Sequence, residues 1–407
     1  MGIYQAALTW LGVCSASLVA STEDERALGY PDQRKIARDS HGHLYVAYRR
    51  KYRIRGLHRH HIFVAKSIDH GASWVVLNNG TPIERVSDDT QRVPAIAIDA
   101  HDTIHIVWYG NDPRNTGENQ RQIKYSCSHD YGMSWSNWLN IAEVDGYKGQ
   151  SLWQEHPIVA VVGDDVFIVW QGLDADTNVS QVKIVKSIDG GQTWGAWRNV
   201  EARGSHNRSR PTLVATNDRL HILAYGDFNG VQQIMWTSSA DGGDTWTPWA
   251  PVAACRADQR HVSAAVDSSG LLHIVWRQAN AVGRSQIHYA TYDGHAWSLP
   301  VVASASEEKY QFFPSVTIDD TDTVWVAWTE TAHDSSYPKD APKDGRIVYI
   351  SKPKGGLWNT SSTIPTRRNN GIYATLRSDR NRNSDVDLIW LEYSDGPLHH
   401  IYYCRLK

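Results

Sequence analysis

The sequence predicts an all-β chain folded as a single seven-bladed β-propeller of four-stranded antiparallel blades. Seven alternating runs each end in a bulky aromatic residue, and four similar turn motifs recur among them. The 407 residues include 18 Trp, 19 Tyr and 30 Gly but only 5 Phe and 3 Met. Short alternating runs rich in aromatic and β-branched residues are typical of half-buried strands. A six-bladed propeller is the alternative, and in both cases we predict one domain over residues 1–407.

The repeating unit has four strands. The aromatic-ended runs are GHLYVAY, DTIHIVW, DDVFIVW, DRLHILAY, GLLHIVW, DTVWVAW and DVDLIWLEY. Each follows an alternating segment such as RVPAIAID or HPIVAVV, which we interpret as the inner strand of a blade. Each precedes a polar loop and a third strand such as VKIVKS. Regular repetition of one such unit is the signature of a propeller.

Four turns after the third strand have the pattern Ser-x-Asp-x-Gly-x-Ser/Thr-Trp, and we call them Asp-box turns. They are SIDHGASW, SHDYGMSW, SIDGGQTW and SADGGDTW, ending in Trp74, Trp135, Trp194 and Trp246. Asp and Ser side chains bond local backbone, Gly permits the tight turn, and Trp packs beneath it. Blades five and six keep only the remnants YDGHAW and KPKGGLW. We predict that these turns are structural.

The last repeat ends at IYYCRLK without a fourth strand, whereas the N-terminal ALTWLGVCSASLVA has the Trp and the alternation expected of one. We therefore predict that residues 1–20 form the outer strand of the C-terminal blade, which leaves no open sheet edge. Cys14 and Cys404 would then lie on neighbouring strands, either reduced or joined in a disulfide.

The same N-terminal segment also resembles the apolar region of a signal peptide. It has no Lys or Arg before the apolar run, and it is too short and too interrupted to cross a membrane. The strand assignment favours no cleavage after Ala20. An extracellular or cell-surface location is favoured only by analogy with similar folds.

Composition excludes several functions. The formal net charge of -3 excludes a global basic field for nucleic acid. The four cysteines have no metal-ligand spacing. We predict no metal, no cofactor and no membrane span.

The direction of the strands predicts which face carries function. The start of each inner strand lies on the same face as the loop that joins strands two and three, while the Asp-box turns lie on the opposite face. Three inner-strand starts repeat a Gln-Arg pair, in TQRVP, DQRHV and DQRKI. We expect Arg92, Arg260 and Arg34 to converge on the axis, where guanidinium groups either bind an anion bidentately or pair with carboxylates and plug the channel.

Other inner-strand starts supply residue types used as acids, bases and nucleophiles. The candidate catalytic residues are Glu155, His156, His261 and Tyr373. The candidate substrate-binding residues are Arg34, Arg92, Arg210, Arg260 and Arg49. Each alone is more often a structural polar residue, but their shared position in the repeat favours a site.

The predicted blade-one loop, YRRKYRIRGLHRHH, contains no acid. A run of like charges is commonly a solvated surface or a nucleic-acid contact. On the face that carries the three arginines, an acidic glycan is the more economical partner. The loops of blades two and six add carboxylates, and the sequence does not choose among Asp112, Glu118, Glu330, Asp334, Asp340 and Asp344.

The Asp-box turns, together with QRVP, resemble the sialidase-type or BNR-repeat superfamily. The resemblance implies three arginines on a substrate carboxylate, a Tyr nucleophile with a Glu partner, and an Asp acid/base. Arg34 or Arg92 matches the first arginine, Arg260 is a candidate for another, and Tyr373 is the candidate nucleophile. The family is usually six-bladed and has its Asp where this chain has the basic loop.

Seven blades with His, Tyr and Arg at the mouth also resemble propeller polysaccharide lyases such as ulvan lyases. In that chemistry His156, His261 or Tyr373 would remove a proton next to a neutralised uronate carboxylate. The sequence thus predicts a carbohydrate-active enzyme on an acidic glycan, either hydrolase or lyase. A noncatalytic propeller that binds glycan or protein is the alternative.

Overall fold

The described strands form seven four-stranded antiparallel sheets arranged as the blades of a propeller. The computed structural model describes residues 15–31, 34–84, 90–111, 121–142, 152–174, 177–201, 204, 206–304, 306, 308–334, 344–366, 370–378 and 385–407. Inner strands of successive blades contact one another around the ring, from the first blade through the seventh and back to the first. The seven-bladed prediction is confirmed.

The first four blades follow the chain in order. Blade one has β2 (Ile36–Arg38), β3 (Leu44–Ile54), β4 (Leu57–Ser67) and β5 (Val75–Val76), followed by a 3₁₀ turn (Asn78–Gly80). Blade two has β6 (Gln91–Ile98), β7 (Ile104–Asn111), β8 (Arg121–Ser128) and β9 (Leu139–Ala142). Blade three has β10 (Gln154–Val162), β11 (Asp165–Asp174), β12 (Thr177–Ser187) and β13 (Arg198–Asn199). Blade four has β14 (Arg208–Ala215), β15 (Leu220–Phe228), β16 (Val231–Ser239) and β17 (Ala250–Pro251).

The remaining blades keep the same order until the ring closes. Blade five has β18 (Gln259–Val266), β19 (Leu272–Ala279), β20 (Ser285–Tyr292) and β21 (Val301–Val302). Blade six has β22 (Tyr310–Ile318), β23 (Val324–Thr331), β24 (Arg346–Lys352) and β25 (Ser362–Thr363). Blade seven has β26 (Gly371–Ser378), β27 (Val386–Glu392), β28 (His399–Arg405) and, as its outer strand, β1 (Ser17–Thr22).

Blade seven closes as the sequence predicts. Strand β1 pairs with β28, with Ser17 opposite Tyr403. The observed strand begins later than the predicted segment, of which residues 1–14 lie outside the described part of the chain. Cys404 is buried and disulfide-bonded, whereas Cys127 and Cys255 are free. The predicted partner of Cys404, Cys14, lies among the residues that are not described.

A buried ion pair reinforces the closure. The Arg38 guanidinium on β2 donates to Asp387 on β27 at 2.7 Å and to Asp385 at 2.9 Å. The first and last blades are therefore joined by charge as well as by packing.

The hydrophobic core is divided among the gaps between neighbouring blades. One cluster, for example, packs Tyr45 and Ile62 of blade one against Ile106 and Trp108 of blade two. Of the aromatic residues that end the seven sequence runs, six are buried and Tyr225 is half-buried, because alternate residues of each strand face the next blade. No helix among the described residues is long and apolar enough to cross a bilayer.

The glutamines that begin the inner strands of blades two and three have a structural role. Gln91 accepts the indole N–H of Trp108 at 2.8 Å, and Gln154 accepts that of Trp170 at 2.7 Å. A buried indole needs such an acceptor. The glutamine thus fixes the aromatic end of strand two to the start of strand one.

Candidate active site at the propeller mouth

Among the described inner strands, six carry the same β-bulge near their start. The register between the first and second strands of the blade shifts at the bulge. One residue there has a positive φ, between 47° and 59° in the six blades. These bulge residues are Val93, His156, Arg210, His261, Phe313 and Tyr373. Positive φ in a residue other than glycine is strained and persists only where the surroundings hold it. The bulge turns one side chain per blade toward the mouth.

Tyr30 lies at the centre of these bulge residues. Its ring centroid is 5.6 Å from that of His156, 5.8 Å from that of His261 and 5.8 Å from that of Tyr373. The Arg210 guanidinium stands 3.4 Å from the Tyr30 centroid, within cation–π range. Tyr30 comes from the segment between β1 and β2, and the sequence analysis did not select it.

A cavity of about 690 Å³ is lined by Tyr30 and by four of the bulge residues, and we call it the mouth pocket. Its described lining includes six cationic side chains and four carboxylates. The cations are Arg26, Arg49, Lys51, Arg92, Arg121 and Arg210, and the carboxylates are Glu23, Asp24, Glu25 and Glu155. The pocket therefore favours an anionic ligand by charge.

His156 is a buried imidazole in the pocket wall. Burial first, and then Arg210, Lys35 and Arg121, holds its pKa well below 6.5. Its Nδ1 is buried and has no hydrogen-bond partner among the described residues. A neutral imidazole with an unused nitrogen can accept a proton.

Tyr373 also lines the pocket and is fully buried. Burial, with the nearby Tyr30 phenol, raises its pKa above the ordinary value, against the opposing effect of Arg26, Arg210 and Arg49. Its hydroxyl has no partner among the described groups. Tyr373 therefore stays protonated and has a hydrogen to donate.

The predicted substrate-binding arginines differ in their partners. Arg92 lines the pocket, and no ion-pair partner for it is found in the described part of the chain. Arg210 donates to His261 Nδ1 at 2.9 Å while it stacks on Tyr30. Arg49 lines the pocket but is ion-paired with Asp24, which also lies 3.3 Å from His60 Nε2. Arg92 is thus the arginine most available to a ligand.

The other two arginines do not join Arg92. Arg260 pairs with Asp258 at 2.8 Å and does not line the mouth pocket as described. Arg34 lines a second cavity farther along the axis. The three arginines therefore do not converge at one site. In blade one the Ala47 amide bonds the Lys35 carbonyl, whereas in blade two Arg92 lies opposite Tyr109, so the two Gln-Arg pairs differ in register.

Glu155 and His261 have supporting positions. Glu155 lines the pocket in an ion pair with Arg121, and its second oxygen is 3.7 Å from His156 Nε2, too far for a hydrogen bond. His261 lies under Arg210 and stacks on Tyr30, outside the described pocket lining. Burial and then Arg210 lower the pKa of His261 well below 6.5, so it accepts the guanidinium hydrogen as a neutral ring.

The predicted basic loop is a β-hairpin instead. Strands β3 and β4 pair as far as Ile54 and Leu57, and Arg55 and Gly56 form the turn with positive φ. Positive φ at both turn residues matches the twist of paired strands. Alternation sends Arg49, Lys51 and the cross-strand His60 to the mouth pocket.

The loop carboxylates selected from the sequence do not form the acidic part of the pocket. Residues 112–120 and 335–343 lie outside the described chain, and Glu330, Asp334 and Asp344 are absent from the described lining. The carboxylates found there come mainly from 23–25, just after β1. Sequence reasoning missed these because residues 23–25 carry no repeat motif. It also missed Tyr109, directly after the aromatic-ended run of blade two, and Arg121 at the start of β8.

The Asp-box turns carry internally satisfied carboxylates. In the first, Ser67 donates to Asp69 at 2.7 Å, and Asp69 accepts the Ser73 amide at 2.9 Å. The Ser73 hydroxyl and amide bonds hold the pKa of Asp69 at about 2. The same Ser–Asp and amide–Asp bonds recur in the other three turns.

One group of metal-type side chains comes together among the described residues, on the Asp-box face. It contains Asp39, His41 and His43, and the His41 ring contacts Tyr131 of the second Asp-box turn. Both Asp39 oxygens already accept bonds, from the His41 and His43 amides, the His43 ring and the Tyr45 hydroxyl. The group is a saturated turn, remote from the mouth pocket.

No protein-family model matches this sequence, and no curated protein matches it. Solved structures do. An ulvan lyase bound to -[GlcA(1-4)Rha3S]- superposes with a TM-score of 0.62 at 13% identity, covering 94% of each chain. The polysaccharide lyase Uly1 gives 0.59 at 12% identity, over 94% of this chain and 91% of that one.

A Hadza microbial sialidase, Hz136, gives a TM-score of 0.51 at 14% identity, over 85% of this chain and 73% of its own. What these proteins share with this chain is the fold. At identities of 12–14% this likeness shows the fold alone and does not identify the reaction.

Proposed function

We propose that this propeller is a lyase that cleaves an acidic polysaccharide at a uronate residue. The observation that carries the proposal is the pairing, in one cation-lined pocket, of a buried neutral imidazole with a buried protonated phenol. Lyase chemistry needs a base, an acid and a cation, and the lining of the mouth pocket includes a candidate for each.

Each group has a step. Arg92 and Arg210 bind the uronate carboxylate, and their charge stabilises the carbanion-like state that forms when the neighbouring C–H is deprotonated. His156 accepts that proton. The glycosidic C–O bond on the adjacent carbon then breaks as the new double bond forms, and Tyr373 donates its proton to the leaving oxygen.

Two positioning roles complete the site. His261 holds Arg210 against Tyr30, and Glu155 holds Arg121 beside His156. Neither residue is free to transfer a proton while it keeps these bonds. We therefore assign catalysis to His156 and Tyr373, and positioning to Glu155 and His261.

The fold likeness supports a glycan ligand. The neighbouring structures include an enzyme bound to a glucuronate-containing oligosaccharide and a sialidase. The recurring Asp-box hydrogen bonds likewise support kinship with the BNR-repeat superfamily.

A sialidase-type hydrolase is the second candidate, because Tyr373 lines a pocket that contains arginines and its hydroxyl has no partner among the described residues. That mechanism needs phenolate character. Burial raises the pKa of Tyr373 and opposes it, and Glu155 is engaged by Arg121. The pocket therefore favours elimination over nucleophilic attack.

The deciding experiment incubates the protein with uronate polysaccharides and follows ultraviolet absorbance from unsaturated chain ends. A sialoside reporter is run in parallel. A rise in absorbance supports the lyase, and reporter hydrolysis alone would replace it with the hydrolase. Silence in both assays, with glycan binding retained on an array, would leave a noncatalytic binder and refute the proposal.

A further inference from the structure

A second cavity of about 140 Å³ lies along the propeller axis, and we call it the axial cavity. Its described lining comes from the inner strands of blades four to seven and from the segment that leads into blade one. Pro31 lines it directly after Tyr30, which lines the mouth pocket. The two cavities are therefore neighbours with different walls.

The charge of the axial cavity is entirely positive. Arg34 and Arg377 line it, and none of its described lining residues is a carboxylate. Burial and the nearby Arg377 lower the pKa of Arg34 to about 10, so the guanidinium is still charged at neutral pH. A guanidinium withdrawn from water is unfavourable unless an anion accompanies it, and no ion-pair partner for Arg34 is found among the described residues.

Hydroxyl groups surround these cations at one repeated position. The residue two places after each bulge residue is Ala95 or Ile158 in blades two and three. In blades four to seven that residue carries a hydroxyl, and the four are Thr212, Ser263, Ser315 and Thr375. The change from apolar to hydroxyl coincides with the part of the wall that faces the axial cavity.

The hydrogens of these hydroxyls are available to a ligand. Ser263 Oγ accepts the Val316 amide at 3.1 Å, and Ser315 Oγ accepts the Leu376 amide at 3.0 Å. An oxygen that accepts still has its own hydrogen to donate. Thr375 Oγ1 is buried and has no partner among the described residues, which is costly without an acceptor.

We propose that the axial cavity binds a small inorganic anion, either a halide or a tetrahedral oxyanion such as sulfate. Arg34 supplies a planar donor fork, and the hydroxyls of blades five to seven supply single donors, a combination that suits such anions. The site is separate from the mouth pocket, and it does not depend on the proposed lyase activity.

Crystals soaked in sodium bromide and, separately, in sodium selenate test the proposal directly. We expect an anomalous peak within hydrogen-bond distance of Arg34 and Thr375 in at least one soak, and the soak that gives it identifies halide or oxyanion. If neither soak gives a peak there, or if peaks occur only in the mouth pocket, the proposal is wrong.

A thermal measurement tests it in solution. Sodium chloride and sodium sulfate are each compared with sodium gluconate at constant ionic strength, because gluconate is too large for the cavity. We expect at least one small anion to raise the Tm of the wild-type protein by about 2–4 °C, and Thr375→Val to lose most of that rise. Equal shifts in both proteins would indicate a general salt effect and would overturn the site.

Arg34→Met should change the Tm in opposite directions depending on whether an anion occupies the axial cavity. If an anion occupies the cavity, the substitution removes its main ligand and lowers the Tm in the stabilising salt. If none does, the substitution removes a buried cation next to Arg377 and leaves the Tm unchanged or higher. Only the first result agrees with the proposal.

Discussion

The two faces of the propeller use repetition in different ways. On the Asp-box face, four turns repeat the same residues and the same hydrogen bonds, and each carboxylate is satisfied within its own turn. On the mouth face, six blades repeat a strained backbone while the bulge side chain changes from blade to blade. On the mouth face the backbone conformation is therefore the same in each of these blades, whereas the chemical type of the side chain differs.

This difference separates stability from function within one fold. A turn that satisfies its own polar groups has nothing left for a ligand, and its pKa shifts reflect local hydrogen bonds. The mouth instead combines strain with an imidazole nitrogen and a phenol that have no partner in the described part of the chain, features that are typical of functional sites. Substitutions on the two faces should therefore have opposite signatures.

The largest effect is expected at His156. His156→Ala should lower kcat by about 10²–10⁴ with little change in Tm, because it removes the proposed base. The matched control is His101→Ala, at a histidine that is 75% exposed in its side chain on the other face. An active His156→Ala enzyme would show that the mouth does not use this imidazole.

The dependence of activity on pH also tests the role of His156 as the base. Because burial and Arg210 lower the pKa of His156 well below 6.5, the base remains neutral as the pH falls through 6.5. Activity should therefore persist below pH 6.5 and decline only at more acid values. An acid limb centred at the ordinary histidine pKa would contradict the burial of this ring.

Arg92 offers the next largest effect, with a close internal control. Arg92→Met should reduce kcat/KM by about 10²–10³, since it removes a cation without a described partner from the pocket. Arg260 occupies the equivalent position in blade five but pairs with Asp258 outside the pocket lining. Arg260→Met should change kcat/KM much less, and equal losses would contradict the assigned geometry.

On the Asp-box face, Gly71→Ala should destabilise without loss of activity. Gly71 has a φ of +86°, and a Cβ there would collide with the Tyr403 ring of blade seven. Gly190 of the third turn also has positive φ but has nothing within 4 Å of such a Cβ. We expect Gly71→Ala to lose about 1–3 kcal/mol more than Gly190→Ala in urea denaturation, at unchanged kcat.

The smallest effect is a gradual acid sensitivity from buried histidines outside the catalytic pair. Burial lowers the pKa of His221 and His288 to about 4. The unfolded chain then binds more protons between pH 6.5 and about 4, so stability falls as the pH drops through that window. His288→Gln should flatten the dependence of the urea midpoint on pH, and an unchanged slope would exclude His288 as a contributor.

The sequence was sufficient for the fold because the fold is periodic. Seven aromatic-ended strands, the Asp-box turns and the missing last strand specify the blades and their closure, since each signal is local or recurs at fixed spacing. The basic segment of blade one was predicted as a loop. It is a hairpin, because the Arg55–Gly56 turn lets both strands continue pairing.

The site was predictable only in part. His156, Arg210 and Tyr373 have the same position in the sequence repeat, which predicts that they lie close together. The structure places them at equivalent bulges around Tyr30. The Gln-Arg pair of blade one also led to the prediction that Arg34 belongs to this site, although Arg34 lines the axial cavity. Tyr30 carries no motif, and its position depends on contacts with five side chains distant in sequence, which are His156, Arg210, His261, Phe313 and Tyr373. Burial, which sets the protonation of His156 and Tyr373, has no signal in a single sequence.

The pairing of β1 with β28 has a consequence for biogenesis. Ser17–Thr22 finds its partner only when His399–Arg405 is available, so the ring cannot close until residues 399–405 have left the ribosome. Such distant pairing makes folding slow, and blade edges stay open to other chains in the meantime. Nascent chains of this protein should therefore depend on chaperone protection until the last blade is synthesised.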